Sequence, residues 1–307
     1  FPFFAGGFSG VDVFFVISGF IIPYIMRQSG YQVKGFPDFL GKRFIRISPP
    51  AYAAMLLTVV SYFLIDRFGF SKSSWIAGLS GMQVIHNLAF TIPFTDYLWI
   101  NDVFWTLAVE FQYYIFVALV YPLMFRNIAW FSAAVVVLSL CYLFRVGEYV
   151  HFFHHSSIFL MGGLVFIFIG RQVSRNVFLL FLMLLTLVAY AQLGIMAAIF
   201  GCATALAIAF LQIKNKVGSF FGGISYSLYL THILSGFVLE GVLVRLFHPE
   251  TIFSRMLLMT ACFLGAILFA WIFKNSIEVY FLKLSQRAYK KSPMPVNDAV
   301  PKSVTLS

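Results

Sequence analysis

Apolar residues run through this chain in nine long stretches, near 11–26, 49–65, 104–125, 128–144, 156–170, 177–194, 195–212, 219–244 and 256–273. Most approach the roughly 20 residues a helix needs to cross the hydrocarbon layer of a bilayer. Lipid offers the backbone no hydrogen-bond partners, so spans of this kind must be helices that satisfy themselves. The pattern predicts an all-α fold, a polytopic membrane bundle with nine visible spans. The stretch 75–92 is also long enough to cross, but Gln83, His86, Asn87 and two glycines interrupt it.

Charge decides how that stretch is read. If 75–92 re-enters or lies at the interface, sixteen of the 21 Lys and Arg residues collect on one face and five on the other. Letting it cross would weaken that bias, so the positive-inside rule favours a non-crossing segment. The C-terminus then faces the cytoplasm and Phe1 faces outward. This arrangement implies a further span upstream of residue 1, ten in the native protein. Residues 1–283 are expected to form a single transmembrane domain, truncated at its N-terminus. Residues 284–307, polar and proline-bearing, are expected to be a disordered cytoplasmic tail.

Composition agrees. A chain of 307 residues that is 61% hydrophobic and 10% charged cannot hide its apolar surface in a soluble core. The net charge of +10 marks the cytoplasmic face and needs no nucleic-acid partner. Cys141, Cys202 and Cys262 lie inside apolar stretches and suggest packing, not redox chemistry. The histidines of HFFHH (His151, His154, His155) suit an interface beside phenylalanines better than a metal site, so no metal is expected. The glycines at 6, 7 and 10 have no following Gly-Lys-Ser/Thr and make no nucleotide loop.

Ionisable groups inside spans are costly and mark candidate chemistry. In GGFSGVDVFFVISGF, Asp12 stands at the outer mouth of the first span, with Ser18 and Gly19 about two turns deeper. It can cap the helix, act chemically, or do both. In FLGKRFIRISPPAY, Arg43 and Arg46 share a helical face at the cytoplasmic end of the next span, with Pro49 and Pro50 at its start. They serve either as inner-face anchors or as paired forks for phosphate groups. In WTLAVEFQYY, Glu110 lies within a span between Thr106 and Tyr113–Tyr114, behind Trp105. It is a polar lock between helices or an acid/base group. In GGISYSLYLTH, Ser225, Tyr229 and His232 fall at i, i+4 and i+7 and predict one polar stripe.

Taken together and in this order, the four segments resemble the membrane-bound acyltransferase-3 family of bacterial O-acetyltransferase-like enzymes. Gly10–Gly19 matches the family's Gly-Val-Asp-x-Phe-Phe-x-x-Ser-Gly pattern. Arg43–Pro49 matches its Arg-x-x-Arg-Ile-x-Pro, Trp105–Tyr114 its tryptophan–glutamate segment, and Ile224–His232 its Ile-Ser-Tyr-Ser-x-Tyr-Leu-x-His. Two departures stand out: Phe111 follows Glu110 where a second acid is common, and Glu278-Val279-Tyr280 replaces Glu-x-Pro.

The resemblance implies transfer of an acyl group, most often acetyl, from cytoplasmic acyl-CoA to a hydroxyl of an extracytoplasmic or lipid-linked glycan, in the bacterial inner membrane. It implies acyl-CoA as co-substrate, with no permanently bound cofactor, a glycan or glycolipid acceptor, and membrane lipid as the surrounding partner. The family's essential histidine is expected upstream of residue 1. Asp12 would orient that imidazole, and Glu110 would be a second catalytic group or a lock. Arg43 and Arg46 would hold the donor's phosphates. Ser18, Trp105, Tyr113, Ser225, Tyr229 and His232 would line the passage. The competing readings are a transporter or flippase, and a catalytically degenerate binding protein; inverted repeats, a common sign of transporters, are not visible.

Overall fold

The computed structural model describes residues 9–67, 78–145, 151–211, 215–248 and 250–288, and among these no strand occurs. Eleven helices follow in order: α1 (Ser9–Gln28), α2 (Phe36–Arg67), α3 (Gly81–Leu88), α4 (Phe104–Met124), α5 (Ile128–Leu143), α6 (Phe152–Ile169), α7 (Arg175–Leu193), α8 (Ile195–Phe210), α9 (Lys216–Phe247), α10 (Ile252–Phe273) and α11 (Val279–Ala288). Each of the nine apolar stretches coincides with one of them. Among the described residues seven helices are long and apolar enough to cross a membrane, while α5 and α8, at 16 residues, are shorter. The protein is an all-α polytopic membrane protein.

Local chemistry sets the helix ends. Asn127, Ser174 and Asn215 accept the backbone N–H three residues on, opening α5, α7 and α9. Thr251 and Ser254 form a reciprocal capping box at α10. Gly194, at φ 90°, makes the turn from α7 into α8, a conformation that side chains resist.

Two boundaries differ from the sequence reading. Pro49 and Pro50 lie inside α2, which begins at Phe36, not at the prolines. Proline removes one ladder donor but is tolerated in membrane helices, where neighbouring groups satisfy the freed carbonyl. At the other end α11 runs to Ala288, so residues 284–288 are helical where a disordered tail was expected; the rest of that tail lies outside the described residues. Between α10 and α11, Lys274–Glu278 form a π-helical turn.

The stretch 75–92 contributes only α3, eight residues or about 12 Å, too short to cross; residues 75–77 lie outside the described residues. Its polar side chains clasp the chain that follows. The Asn87 amide donates to the Leu98 carbonyl at 3.2 Å and accepts from Ile100 N–H at 2.9 Å. Gln83 donates to the same Leu98 carbonyl, and Tyr52 donates to Leu88 O at 2.6 Å.

The helices group into two compact units, one from the described parts of Phe1–Phe39 and Val109–Gln212, the other from Leu40–Ala108 and Ile213–Lys290. In the first, α6 is walled in, with Ser156–Ile167 continuously buried against α1, α5, α7 and α8. Gly19 and Gly162 bring the α1 and α6 backbones into contact: a Cβ on either would lie 2.1 Å from a carbonyl oxygen of the other helix. Close approach through small residues is a common way for helices to associate in lipid. Gln192 of α7 completes the core, accepting from Ser157 Oγ at 2.6 Å and donating to Ser156 Oγ and Phe153 O. In the second unit, α10 packs along α9.

Candidate functional site

A buried carboxylate sits in the first unit. Glu110 is 4% exposed and accepts hydrogen bonds from Ser18 Oγ of α1, at 3.4 Å, and from the Tyr114 hydroxyl one turn further along α4. The i,i+4 spacing of α4 sets the second bond, and packing of α1 against α4 sets the first. Tyr113 donates to the Gly19 carbonyl at 3.4 Å. Its ring stacks on Phe159 at 4.2 Å, and Phe159 stacks on Phe15 at 4.6 Å. The Ser18-Gly19 pair therefore does two things: the hydroxyl meets the carboxylate while the glycine admits α6. Burial of a carboxylate demands such partners, because an unpaired charge at that depth is expensive.

Asp12 occupies the first turn of α1, half-buried, where the free amides of the helix start favour a negative charge. Among the described residues its carboxylate meets no hydrogen-bond donor. Trp105 is half-buried at the start of α4.

In the second unit Arg43 is half-buried and Arg46 exposed, on one face of α2. The serine–tyrosine–histidine stripe of α9 does not form a single lining. Tyr229 turns inward: its hydroxyl donates to Val103 O at 2.9 Å and pairs with Thr106, which donates to the same carbonyl. Ser225 and His232 are exposed and bond within α9, Ser225 to Gly222 O and His232 Nδ1–H to Tyr229 O. The buried face of α9 is centred on Ile224, Ser227, Thr231 and Ser235, at i, i+3, i+7 and i+11.

That face carries residues the sequence reading passed over. Ser227 donates to Glu278 Oε2 at 2.5 Å, and Tyr226 donates to Ile47 O at 2.7 Å, one residue beyond Arg46. Ser227 could have been found from its register with Ile224. Glu278 could have been found as the first carboxylate after the last apolar stretch. Asn101 is the other missed group: it donates to Leu230 O at 3.3 Å and to Thr58 Oγ1 at 3.5 Å, and accepts from Val103 N–H.

At α6 the three histidines are engaged locally. His155 Nδ1–H donates to His151 O at 3.1 Å and its ring meets Phe15 edge-on, while His154 lies edge-on to Tyr142. Among the described residues no three metal-ligating side chains converge.

Comparison with known proteins bears on this arrangement. Residues 1–274 match the acyltransferase-domain family Acyl_transf_3. Of curated proteins, the chain is 35% identical over 118 residues to "Putative peptidoglycan O-acetyltransferase YrhL" of Bacillus subtilis strain 168, covering 36% of this chain and 18% of that protein. It is 30% identical over 122 residues to "Peptidoglycan O-acetyltransferase OatA" of Listeria monocytogenes serovar 1/2a, covering 36% and 19%. The match thus spans under a fifth of either relative's length. No solved structure matches the chain. With its four polar motifs falling inside the matched region, the chain belongs to the Acyl_transf_3 family of acyltransferase domains.

Proposed function

We propose that this protein transfers an acetyl group from cytoplasmic acetyl-CoA to a hydroxyl of a cell-envelope glycan, with peptidoglycan the first acceptor to test. The observation that carries the reading is Glu110, a membrane-buried carboxylate held by the Ser18 and Tyr114 hydroxyls inside a chain of acyltransferase family. The names of two relatives support the acceptor class. The charge asymmetry of the loops supports an inner-membrane protein with its C-terminus and Arg43–Arg46 end in the cytoplasm.

In this reaction the thioester C–S bond breaks and an ester C–O bond forms. The acceptor hydroxyl gives its proton to a base, and the departing thiolate of coenzyme A takes up a proton. Arg43 and Arg46 supply cations to the donor's phosphates. Asp12 stabilises the imidazolium of the histidine that the family resemblance places upstream, the service a carboxylate gives a catalytic histidine. Glu110 holds or relays a proton through its hydroxyl partners.

The test uses membranes carrying the native protein and labelled acetyl-CoA, followed into base-labile ester on the glycan fraction. Ester label in wild type that falls at least about 100-fold in Glu110→Gln, and about tenfold in Arg46→Ala at acetyl-CoA well below KM, is the expected result. No ester label above background with folded wild-type protein present overturns the proposal.

A further inference from the structure

The second unit contains a cavity of about 40 Å³ lined by Thr58, Ser61 and Tyr62 of α2, Asn101 and Asp102 before α4, and Ile233 and Leu234 of α9. We propose that this cavity binds sugar hydroxyls and is a docking subsite for the acceptor glycan, an inference that rests on the acyltransferase reading above.

The chemistry of the lining selects the ligand class. The polar part is the hydroxyls of Ser61 and Tyr62 and the Asp102 carboxylate, above Thr58 and Asn101, which are bonded within the protein. Ile65, Ile100, Ile233 and Leu234 supply apolar walls, and the lining has no Lys or Arg. An ionised Asp only accepts hydrogen bonds, so the ligand must donate. Asp102 is exposed at the mouth, and among the described residues no donor reaches its carboxylate. Asn101, by contrast, is buried and committed to Thr58, Leu230 and Val103, which fixes the cavity floor. The volume admits about two or three waters, or the hydroxyl edge of one sugar ring reaching in from the mouth. A phosphate would meet the Asp102 charge with no Lys or Arg in the lining to offset it; Arg67 lies in the last turn of α2, outside the lining.

Polarity along α2 separates this site from the donor end. Arg43 and Tyr62 lie nineteen residues apart on one helix, about 28 Å at 1.5 Å per residue and close to the thickness of a bilayer's hydrocarbon core. One end of α2 carries cations that suit phosphates, and the other carries hydroxyls beside a carboxylate that suit a neutral polyol. A donor and a glycan on opposite membrane faces need this division.

The probe is the neutral disaccharide N,N′-diacetylchitobiose, added to the native protein in lipid nanodiscs. Two readouts are taken on wild type, Asp102→Asn and Ser61→Ala: steady-state acetyl transfer to the disaccharide, and its direct binding by saturation-transfer NMR. Asp102→Asn is expected to raise the acceptor KM about tenfold, as for loss of a charged hydrogen bond. Its kcat and its KM for acetyl-CoA should stay within about twofold of wild type. Ser61→Ala should raise the acceptor KM about threefold. An unchanged acceptor KM in both variants, with wild type active, overturns the subsite and leaves the acyltransferase reading standing; the cavity then holds water only. If wild type transfers nothing to the disaccharide or to the glycan fraction, the acyltransferase reading fails, and NMR still decides the subsite. Binding lost in Asp102→Asn supports it, whereas binding unaffected by the substitution, or no binding to wild type, overturns it.

Discussion

Gly162 of α6 lies directly against Val16 of α1: a Cβ added to the glycine would stand 2.1 Å from the Val16 carbonyl oxygen and 2.6 Å from the Phe20 amide nitrogen. Nothing at that contact is a flexible side-chain end, so the backbones themselves would have to part. The same stretch of α1 carries Ser18, which donates to Glu110 of α4, so packing against α6 and the polar contact with α4 share one segment of α1.

Gly162→Ala and Gly19→Ala are therefore each expected to destabilise the protein by about 3 kcal/mol or more, the upper range for overpacking. Gly236→Ala, in α9 with no described atom within 4 Å, should be neutral or slightly stabilising. Thermal unfolding in detergent, followed by size exclusion, separates these outcomes. Equal melting temperatures for all three variants would contradict the close-contact account.

Gln192 ties α7 to α6 through Ser157 and Ser156. Gln192→Leu is expected to cost about 1–3 kcal/mol, because the Ser157 hydroxyl loses its acceptor in a buried site. Adding Ser157→Ala should recover part of that loss. A double-mutant cycle measures the coupling, and purely additive effects would show that the two side chains do not interact.

Arg43→Ala and Arg46→Ala are expected to raise the KM for acetyl-CoA about tenfold each, in the range for charged hydrogen bonds. Acetyl-dephospho-CoA, which lacks the 3′-phosphate, should lose less than acetyl-CoA in at least one variant. Initial rates with the two donors decide the point; unchanged KM values in both variants would remove the phosphate-clamp role.

His151, at the mouth of α6, has its pKa held below the ordinary value near 6.5, first by burial and then by the neighbouring His154. As pH falls, the unfolded chain binds this proton before the folded one does. The His151 contribution is thus undiminished above about pH 6.5 and declines as pH drops through that value towards the lower folded pKa. Melting temperatures between pH 7.5 and 5 should fall, and His151→Gln should flatten the curve. An identical pH profile in the variant would assign the slope to other groups.

The spans and the non-crossing character of 75–92 were legible because lipid imposes length and apolarity on a helix directly. Glu110 was legible for the converse reason, a carboxylate where lipid penalises charge. Its partner Ser18 was visible only as a motif residue, since 92 positions separate the two and no local period connects them. For the α9 stripe, three polar residues at helical spacing say which face they share, not whether it is buried. Only the register of Ile224, Ser227 and Thr231 against their neighbours settles that. Glu278 was set aside as a departure from Glu-x-Pro, yet its bond to Ser227 depends on the carboxylate and not on the residue two places on. The α2 start was misplaced because proline stops helices in water more reliably than in lipid.

Burial also divides helices of like composition. Most of α6 is buried against neighbouring helices, whereas less than a quarter of α7 and of the α10 segment is. A walled-in helix has protein for solvent on every side, so changes in bilayer thickness reach it only second-hand. Mismatch falls instead on α7 and α10, whose exposed Leu, Met and Phe side chains face outward, and these must tilt or draw lipid to their own length. The Ser18–Glu110 pair, resting on α6 through Gly19, is thereby insulated from the acyl-chain length of the surrounding lipids.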